Sequence, residues 1–193
     1  MTENGTTNIL FAGVGGQGTV LASSLLASVC LAAGCDVKQS EVHGMAQRGG
    51  SVTSHVRFGQ KVHSPTIPAG EADFLVGFEL LECVRWLEHL APHGLVLTSL
   101  QRIDPLPVAS GVAAYPTGLE DLIRARSPDA RLLDAPGIAR QAGSVRAVNM
   151  TMLGALSRHL PFAQDAWHES ISQRLPPKTL QTNWTAFLAG KDA

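Results

Sequence analysis

Short continuous apolar runs and longer segments with apolar residues at helical spacing alternate along the chain. Continuous apolar runs at residues 8–14, 74–78 and 94–98 predict buried strands, because a strand covered on both faces of a sheet needs no polar side. Residues 131–134 predict a further strand, with Asp134 as the cap of the helix that follows. Helices are predicted at residues 20–33, 79–90, 119–125, 148–159, 163–173 and 179–188. This alternation predicts a three-layer α/β/α, Rossmann-like fold with a mostly parallel sheet.

One segment breaks the parallel pattern. Residues 51–58 alternate with period two, which places Val52, Val56 and Phe58 on one face. Gly59 and the residue after it predict a hairpin turn into residues 61–64. Such a pair is antiparallel, so we expect a mixed sheet with a hairpin addition. A short strand is also predicted at residues 112–115. The chain of 193 residues suits one domain, residues 1–193.

The first predicted helix, residues 20–33, carries no charge, and its only polar side chains are Ser23, Ser24 and Ser28. A helix that is apolar all round is expected to be buried all round. Either the C-terminal helices enclose it, or a partner subunit covers one of its faces.

A glycine turn joins the first strand to this helix. Gly13, Gly15 and Gly18 form the spacing G-x-G-x-x-G, and the free N–H groups of the helix's first turn would create an anion site. Asp36 and Glu41 are both candidates for the acid that holds a ribose in dinucleotide sites. Alternatively, the glycines serve only close packing. The candidate ligand-binding residues of the turn are Gly13, Gly15, Gly16, Gln17 and Gly18.

A second polar block occupies residues 41–50 and is predicted to be a binding loop, because buried loops would leave their peptide groups unpaired. Arg48 stands between Gln47 and Gly49, where a guanidinium can form a planar fork for carboxylate or phosphate. His43 and Arg48 are the candidate catalytic residues. Gln47, Gly49 and Gly50 are further candidates for cofactor binding.

Together, residues 13–18, 41–50, 51–59 and 71–73 resemble the gamma-type domain of the 2-oxoacid:ferredoxin oxidoreductases, also called the pyruvate/ketoisovalerate oxidoreductase gamma domain. Within that family the likeness is greatest to the small (beta) subunits of the indolepyruvate enzymes. It is dense at residues 8–90 and returns at residues 149–155.

The resemblance implies a subunit that is inactive alone, in an enzyme that oxidatively decarboxylates a 2-oxoacid, here an arylpyruvate, with coenzyme A. It also implies that thiamine diphosphate, Mg²⁺ and [4Fe-4S] clusters belong to a larger alpha subunit, which passes electrons to ferredoxin.

The composition agrees with the placement of these cofactors on another subunit. Cys30, Cys35 and Cys83 are isolated, so the chain cannot supply a four-thiolate cluster or a clustered zinc site, and no metal site is predicted. No Gly-Asp-Gly run followed by asparagine is present to hold thiamine and magnesium. The net charge of −1 offers no basic face for nucleic acid. Without a leader-like start or a membrane-length apolar run, we expect a soluble cytoplasmic protein.

Two other functions remain open. The glycine turn would also suit an independent NAD- or flavin-binding oxidoreductase, and a non-catalytic structural or regulatory subunit would need no ligand. The sequence Gly16-Gln17-Gly18 favours the ferredoxin oxidoreductase family over common NAD-binding proteins.

Overall fold

The computed structural model describes residues 5–44 and 49–193. Six strands in these ranges form one sheet in the order β2-β3-β1-β4-β5-β6. The strands are β1 (Thr6–Val14), β2 (Asp36–His43), β3 (Ser51–Gly59), β4 (Ala72–Gly77), β5 (Leu90–Ser99) and β6 (Arg131–Leu133). Strands β1, β4, β5 and β6 run parallel, whereas β3 lies antiparallel between β1 and β2. The predicted mixed sheet is confirmed.

Helices cover both faces of the sheet. They are α1 (Thr19–Ala32), α2 (Leu80–Arg85), α3 (Leu106–Ala109), α4 (Leu119–Arg126), α5 (Ala135–Gln141), α6 (Val148–Ser157), α7 (Gln164–Arg174) and α8 (Pro177–Asp192). Ile9 and Phe11 of β1 share one apolar core with α1 and α5 to α8, and Leu10 and Ala12 share another with α2 and α4. Alternate residues of β1 therefore serve opposite cores, and the predicted three layers are confirmed.

The predicted hairpin between residues 51–58 and 61–64 is wrong. Strand β3 pairs with β2, and residues 61–64 form no strand. The Val62 N–H donates to Asp36 Oδ2 at 2.9 Å, and Arg57 donates to the carbonyl oxygens of Ser64 and Thr66 at 3.4 and 2.9 Å. These side chains pair with backbone groups that a neighbouring strand would otherwise pair with, so the segment stays irregular.

Other boundaries differ locally. The helix predicted at residues 79–90 ends at Arg85 and is followed by a 3₁₀ turn, Leu87–His89, before β5 begins. The strand predicted at residues 112–115 is absent, and an exposed segment lies there instead. The strand before Asp134 is confirmed, and the Asp134 carboxylate accepts a hydrogen bond from the Gly137 N–H at 2.9 Å.

The prediction that α1 is buried all round is met only in part within this chain, and cover of its remaining face by a partner subunit stays a prediction. The helix packs on the sheet and against α6 and α7, and Ser170 Oγ donates to the Leu25 carbonyl oxygen at 3.2 Å. One stripe still faces solvent, with Val20 38% and Leu31 60% exposed. The enclosure by C-terminal helices is therefore partial.

Helices α6 and α8 approach each other backbone to backbone. All ten residues of α6 are buried. A Cβ built on Gly154 would lie 1.9 Å from the Phe187 carbonyl oxygen, and one on Gly190 would lie 2.0 Å from the Thr151 carbonyl oxygen. Only glycine permits this separation.

Within the described ranges, no helix is long and apolar enough to cross a membrane.

Candidate functional site

The two sequence motifs meet at the carboxyl end of β1. The Gly15 N–H donates to the Gly50 carbonyl oxygen at 2.8 Å, and the Gly49 N–H donates to the Gly15 carbonyl oxygen at 3.3 Å. The polar block is thus joined directly to the glycine turn. Gln47 and Arg48 lie outside the described residues.

The glycines of the turn have different surroundings. Gly16 has a φ of +105°, and a Cβ built on it would have no atom of the described residues within 4 Å. Gly18 has a φ of +82°, and its Cβ would lie 2.7 Å from Asn149 Nδ2. Gly13 is buried, and its Cβ would lie 2.9 Å from Gln17 Oε1. Gly13 therefore allows close packing, whereas Gly16 leaves open space beside the backbone.

Gln17 ties the turn to the neighbouring strands. Its Oε1 accepts a hydrogen bond from the Val14 N–H at 2.7 Å, and its Nε2 donates to the Phe78 carbonyl oxygen at 2.8 Å and to Gln101 Oε1 at 3.0 Å. Strand β1 leads to a helix on one face of the sheet and β4 to a helix on the other, so a switch point lies between them. Open α/β sheets commonly bind ligands in that crevice, and here the hydrogen bonds of the Gln17 side chain span it.

Some backbone N–H groups of the glycine turn are hydrogen-bonded to described residues, and others are not. The N–H groups of Val14, Gly15 and Gln17 donate to protein acceptors. Those of Gly16, Gly18 and Thr19 have no acceptor among the described residues, and no side chain caps α1. Free N–H groups at the positive end of a helix suit an anionic ligand.

These free donors border a cavity of about 540 Å³. Strands β2 and β3, helix α1 and the end of α7 enclose it. Its lining residues are Gly15, Gly16, Gly18, Thr19, Val20, Leu21, Ser24, Glu41, His43, Val52 and Arg174. Of the predicted site residues, the structure thus brings Gly15, Gly16, Gly18 and His43 together.

Arg174 is the site residue that the sequence did not reveal. It lies in the last turn of α7, and its exposed side chain makes no hydrogen bond or ion pair with any other described residue. A free guanidinium opposite free N–H groups favours a ligand with negative charge. No local motif marks this residue, because only the packing of α7 on α1 brings it to the cavity.

The two candidate acids lie at opposite ends of β2. Glu41 lines the cavity. Asp36 pairs with Lys38 at 2.8 Å, and the hydrogen bond from Lys38 contributes most to lowering the pKa of Asp36 to about 2. His43 is exposed, and its Nδ1 lies 3.1 Å from the Gly44 carbonyl oxygen. Of the two acids, only Glu41 therefore lies beside the cavity at the glycine turn.

A buried carboxylate fixes the start of β3 beside the cavity. Ser51 Oγ donates to Glu82 Oε2 at 2.5 Å, and Arg85 pairs with Glu82 Oε1 at 3.2 Å. Glu82 is 4% exposed, so these contacts compensate its lost hydration. Residue 51 directly follows Gly50, and Glu82 thereby positions the loop that contacts Gly15.

Comparison with known proteins gives near-full-length matches. Residues 8–193 match the family model described as pyruvate ferredoxin/flavodoxin oxidoreductase. The chain is 40% identical to the indolepyruvate oxidoreductase subunit IorB of Pyrococcus horikoshii, over 96% of this chain and 95% of that protein. It is 39% identical to the subunit of the same name from Thermococcus kodakarensis, with the same coverage.

A solved structure shares the fold. The crystal structure of pyruvate oxidoreductase subunit PORC from Thermotoga maritima matches with a TM-score of 0.73 and 22% identity, over 97% of this chain and 96% of that one. The sequence matches extend over both motifs of the site and the helices that enclose it. The chain belongs to the pyruvate ferredoxin/flavodoxin oxidoreductase family.

Proposed function

We propose that this chain is the small subunit of a thiamine diphosphate-dependent 2-oxoacid:ferredoxin oxidoreductase that acts on indolepyruvate or a similar arylpyruvate. The enzyme decarboxylates the 2-oxoacid, transfers the acyl group to coenzyme A and reduces ferredoxin. The extent of the likeness to indolepyruvate oxidoreductase subunits supports this proposal. In it, a larger subunit holds thiamine diphosphate, Mg²⁺ and [4Fe-4S] clusters, and transfers electrons to ferredoxin.

The side chains of this chain do not suit the redox cofactors. In the described ranges, no group of three or more His, Cys, Asp and Glu side chains could hold a metal ion. Burial keeps the Cys30 thiol protonated by raising its pKa, and raises the pKa of Cys83 to about 12. Clusters require thiolates. We therefore assign the electron-transfer chemistry to the larger subunit. The carbanion chemistry is assigned there too, because the sequence has no Gly-Asp-Gly run followed by asparagine.

This chain's own task in the proposal is to bind an anionic group of coenzyme A. The observation that carries it is the set of N–H groups at Gly16, Gly18 and Thr19 that have no acceptor among residues 5–44 and 49–193, in residues that line the same cavity as Arg174. Phosphate oxygens accept hydrogen bonds from such donors without displacing a contact between described residues. His43, Gln47 and Arg48 are proposed to line the subunit junction close to the substrate or coenzyme A, with Arg48 pairing an anionic group.

Reconstitution tests the assignment. Each subunit is assayed alone and then together, with indolepyruvate or phenylpyruvate, coenzyme A and a ferredoxin substitute. Turnover is expected only from the mixture. Turnover by this chain alone, or full turnover by the larger subunit without it, would refute the assignment.

Arginine variants test the binding role in the assembled complex. Arg174→Gln is expected to weaken coenzyme A binding by about tenfold, since a charge-assisted contact contributes about 1.5 kcal/mol or more. Arg140→Gln is the matched control, because Arg140 is also exposed in the last turn of a helix and lies outside the cavity. Equal affinities in the two variants would exclude Arg174 from the site.

Arg48 is tested in the same complex. Arg48→Ala is expected to lower coenzyme A or substrate affinity by roughly 10- to 100-fold, and Arg48→Lys should recover only part, because a point charge cannot replace a planar fork. Wild-type affinities in Arg48→Ala would remove this residue from the proposal.

An independent NAD-binding oxidoreductase fits the geometry less well. The Gln17 side chain is hydrogen-bonded across the switch point where a dinucleotide would cross the sheet, and Asp36 pairs with Lys38 at the far end of β2. A nicotinamide titration of the isolated chain is expected to show no saturable binding. Micromolar binding would favour the alternative.

A further inference from the structure

A compact apolar projection follows β5. We define the apolar knob as residues 105–114, which include α3. The two most exposed large apolar side chains of the described residues, Leu106 at 80% and Val112 at 82%, both belong to it. No charged residue occurs between Asp104 and Glu120. Single exposed apolar side chains are ordinary, but a concentrated uncharged patch marks an interaction surface.

The knob is folded within itself. The N–H groups of Val112 and Ala113 both donate to the Pro107 carbonyl oxygen at 2.9 Å. Gly111, with a φ of +77°, makes the reversal possible. Because the segment is already ordered, little conformational entropy would be lost when it binds a partner.

A buried carboxylate holds the base of the knob. Glu79 is 1% exposed, and its Oε1 accepts hydrogen bonds from the Tyr115 hydroxyl at 2.5 Å and the Ile103 N–H at 3.2 Å. These two donors stand on either side of the knob in sequence. The Arg102 guanidinium lies 4.2 Å from the centre of the Tyr115 ring, and Arg102 also pairs with Asp104 at 2.6 Å. The base is thus fixed while the apolar tip remains in solvent.

The base also contacts the candidate ligand site. Gln101 accepts a hydrogen bond from Gln17 Nε2 at 3.0 Å, and its carbonyl oxygen accepts one from the Leu80 N–H at 3.1 Å. Strands β1, β4 and β5 are parallel, so the glycine turn and the knob lie at the same edge of the sheet. A partner that covers the knob would therefore lie beside the cavity.

We propose that the apolar knob is a docking element that inserts into an apolar groove of the larger subunit. This inference rests on the proposed function for the existence of that subunit. The centre of a permanent interface is depleted of charge and rich in apolar side chains, as the knob is. A second copy is a poorer occupant. A cavity lined in part by Phe58, Phe74 and Phe162 lies at the opposite sheet edge, but Asp73 and Arg158 also line it, so it is not the uncharged groove that an apolar knob requires. Contacts between the knob of one copy and this cavity of another would also be heterologous rather than a closed two-fold pair.

The test compares charge insertions in the complex of both subunits. Leu106→Glu and Val112→Glu are each expected to raise the dissociation constant of the two subunits at least about tenfold. Leu122→Glu is the control, because Leu122 is 53% exposed on α4, outside the knob. It should change affinity less than about threefold, and all three isolated chains should melt at the wild-type temperature.

Hydroxyl-radical labelling supplies the second readout. Labelling of residues 105–114 is expected to fall when the wild-type chain joins the larger subunit. Unchanged affinity in both knob variants, or undiminished labelling in the complex, would overturn the proposal. So would protection in the isolated chain that rises with concentration and disappears in Leu106→Glu, because the occupant would then be a second copy. A wild-type complex that assembles normally but lacks arylpyruvate activity would refute the proposed function and leave the docking test valid.

Discussion

Replacing Gly16 by alanine, beside a matched Gly143→Ala control, tests whether Gly16 is needed for ligand approach or only for its positive φ. Gly16 lines the cavity with a φ of +105°, and a Cβ there would contact no atom of residues 5–44 and 49–193 within 4 Å. The methyl group would instead occupy the space next to the free Gly16 N–H. Gly143 provides a matched control. Its φ is +109°, and its Cβ would make only an ordinary contact with Thr182 at 3.5 Å, away from the cavity.

Both variants should lose similar stability. Positive φ costs a residue with a Cβ about 1–2 kcal/mol, which corresponds to roughly 2–8 °C in Tm for a domain of this size. Only Gly16→Ala should also weaken ligand binding. A methyl group would prevent a phosphate oxygen from approaching the N–H to about 2.9 Å, and we expect a loss of at least about tenfold, or 1.4 kcal/mol.

The assay pairs thermal unfolding of the isolated chains with calorimetric titration of coenzyme A into the assembled complexes. Comparable Tm values for Gly16→Ala and Gly143→Ala show that folding is equally affected. If coenzyme A then binds both complexes with wild-type affinity, Gly16 serves only the backbone turn and the anion-site argument is refuted.

Three further outcomes are expected. Gly154→Ala should lower the free energy of unfolding in urea by about 3 kcal/mol, because its Cβ would push Phe187 and α8 away from α6; a loss below about 1 kcal/mol would show that the helices separate freely. Burial contributes most to lowering the pKa of His55 to about 4, so the unfolded chain binds more protons between pH 4 and 6.5 and stability should fall as pH falls through that window, by at most about 3 kcal/mol. His55→Asn should flatten this dependence in urea titrations, and an unchanged slope would assign it to other groups. The isolated chain purified without oxygen should be colourless, and stoichiometric iron and sulfide would contradict the cysteine argument.

Sequence patterns predicted correctly those features that depend on residues close together in the chain. The glycine turn, the apolar strands and the Asp134 cap each depend on neighbours in sequence, and the structure contains all three. The hairpin partner was missed because alternation shows which face of β3 is buried but not which strand lies beside it. In the irregular residues 61–64, the Val62 N–H and the Ser64 carbonyl oxygen pair with the side chains of Asp36 and Arg57, and no periodicity reveals such contacts.

The site was predictable in part for the same reason. The sequence does not distinguish the glycines of the turn, although Gly13 permits close packing and Gly16 borders open space. Arg174 reaches the cavity from a distant helix, so its charge could be assigned to the site only after the packing of α7 was known. The interpretation of Gln17 as a family marker has a physical counterpart in its three hydrogen bonds, while its predicted role in ligand binding stays a prediction.

The contact between α6 and α8 also constrains the order of events during synthesis. Helix α6 emerges from the ribosome before α8, yet every residue of α6 is buried in the folded chain, and the backbone of α8 covers Gly154 directly. A nascent chain that has reached only α7 must therefore hold an uncovered apolar helix against a finished sheet. Such an intermediate attracts other unfinished chains. The larger subunit should accordingly be recruited after α8 has docked, and variants that slow this docking should lower the yield of complex more than its activity per molecule.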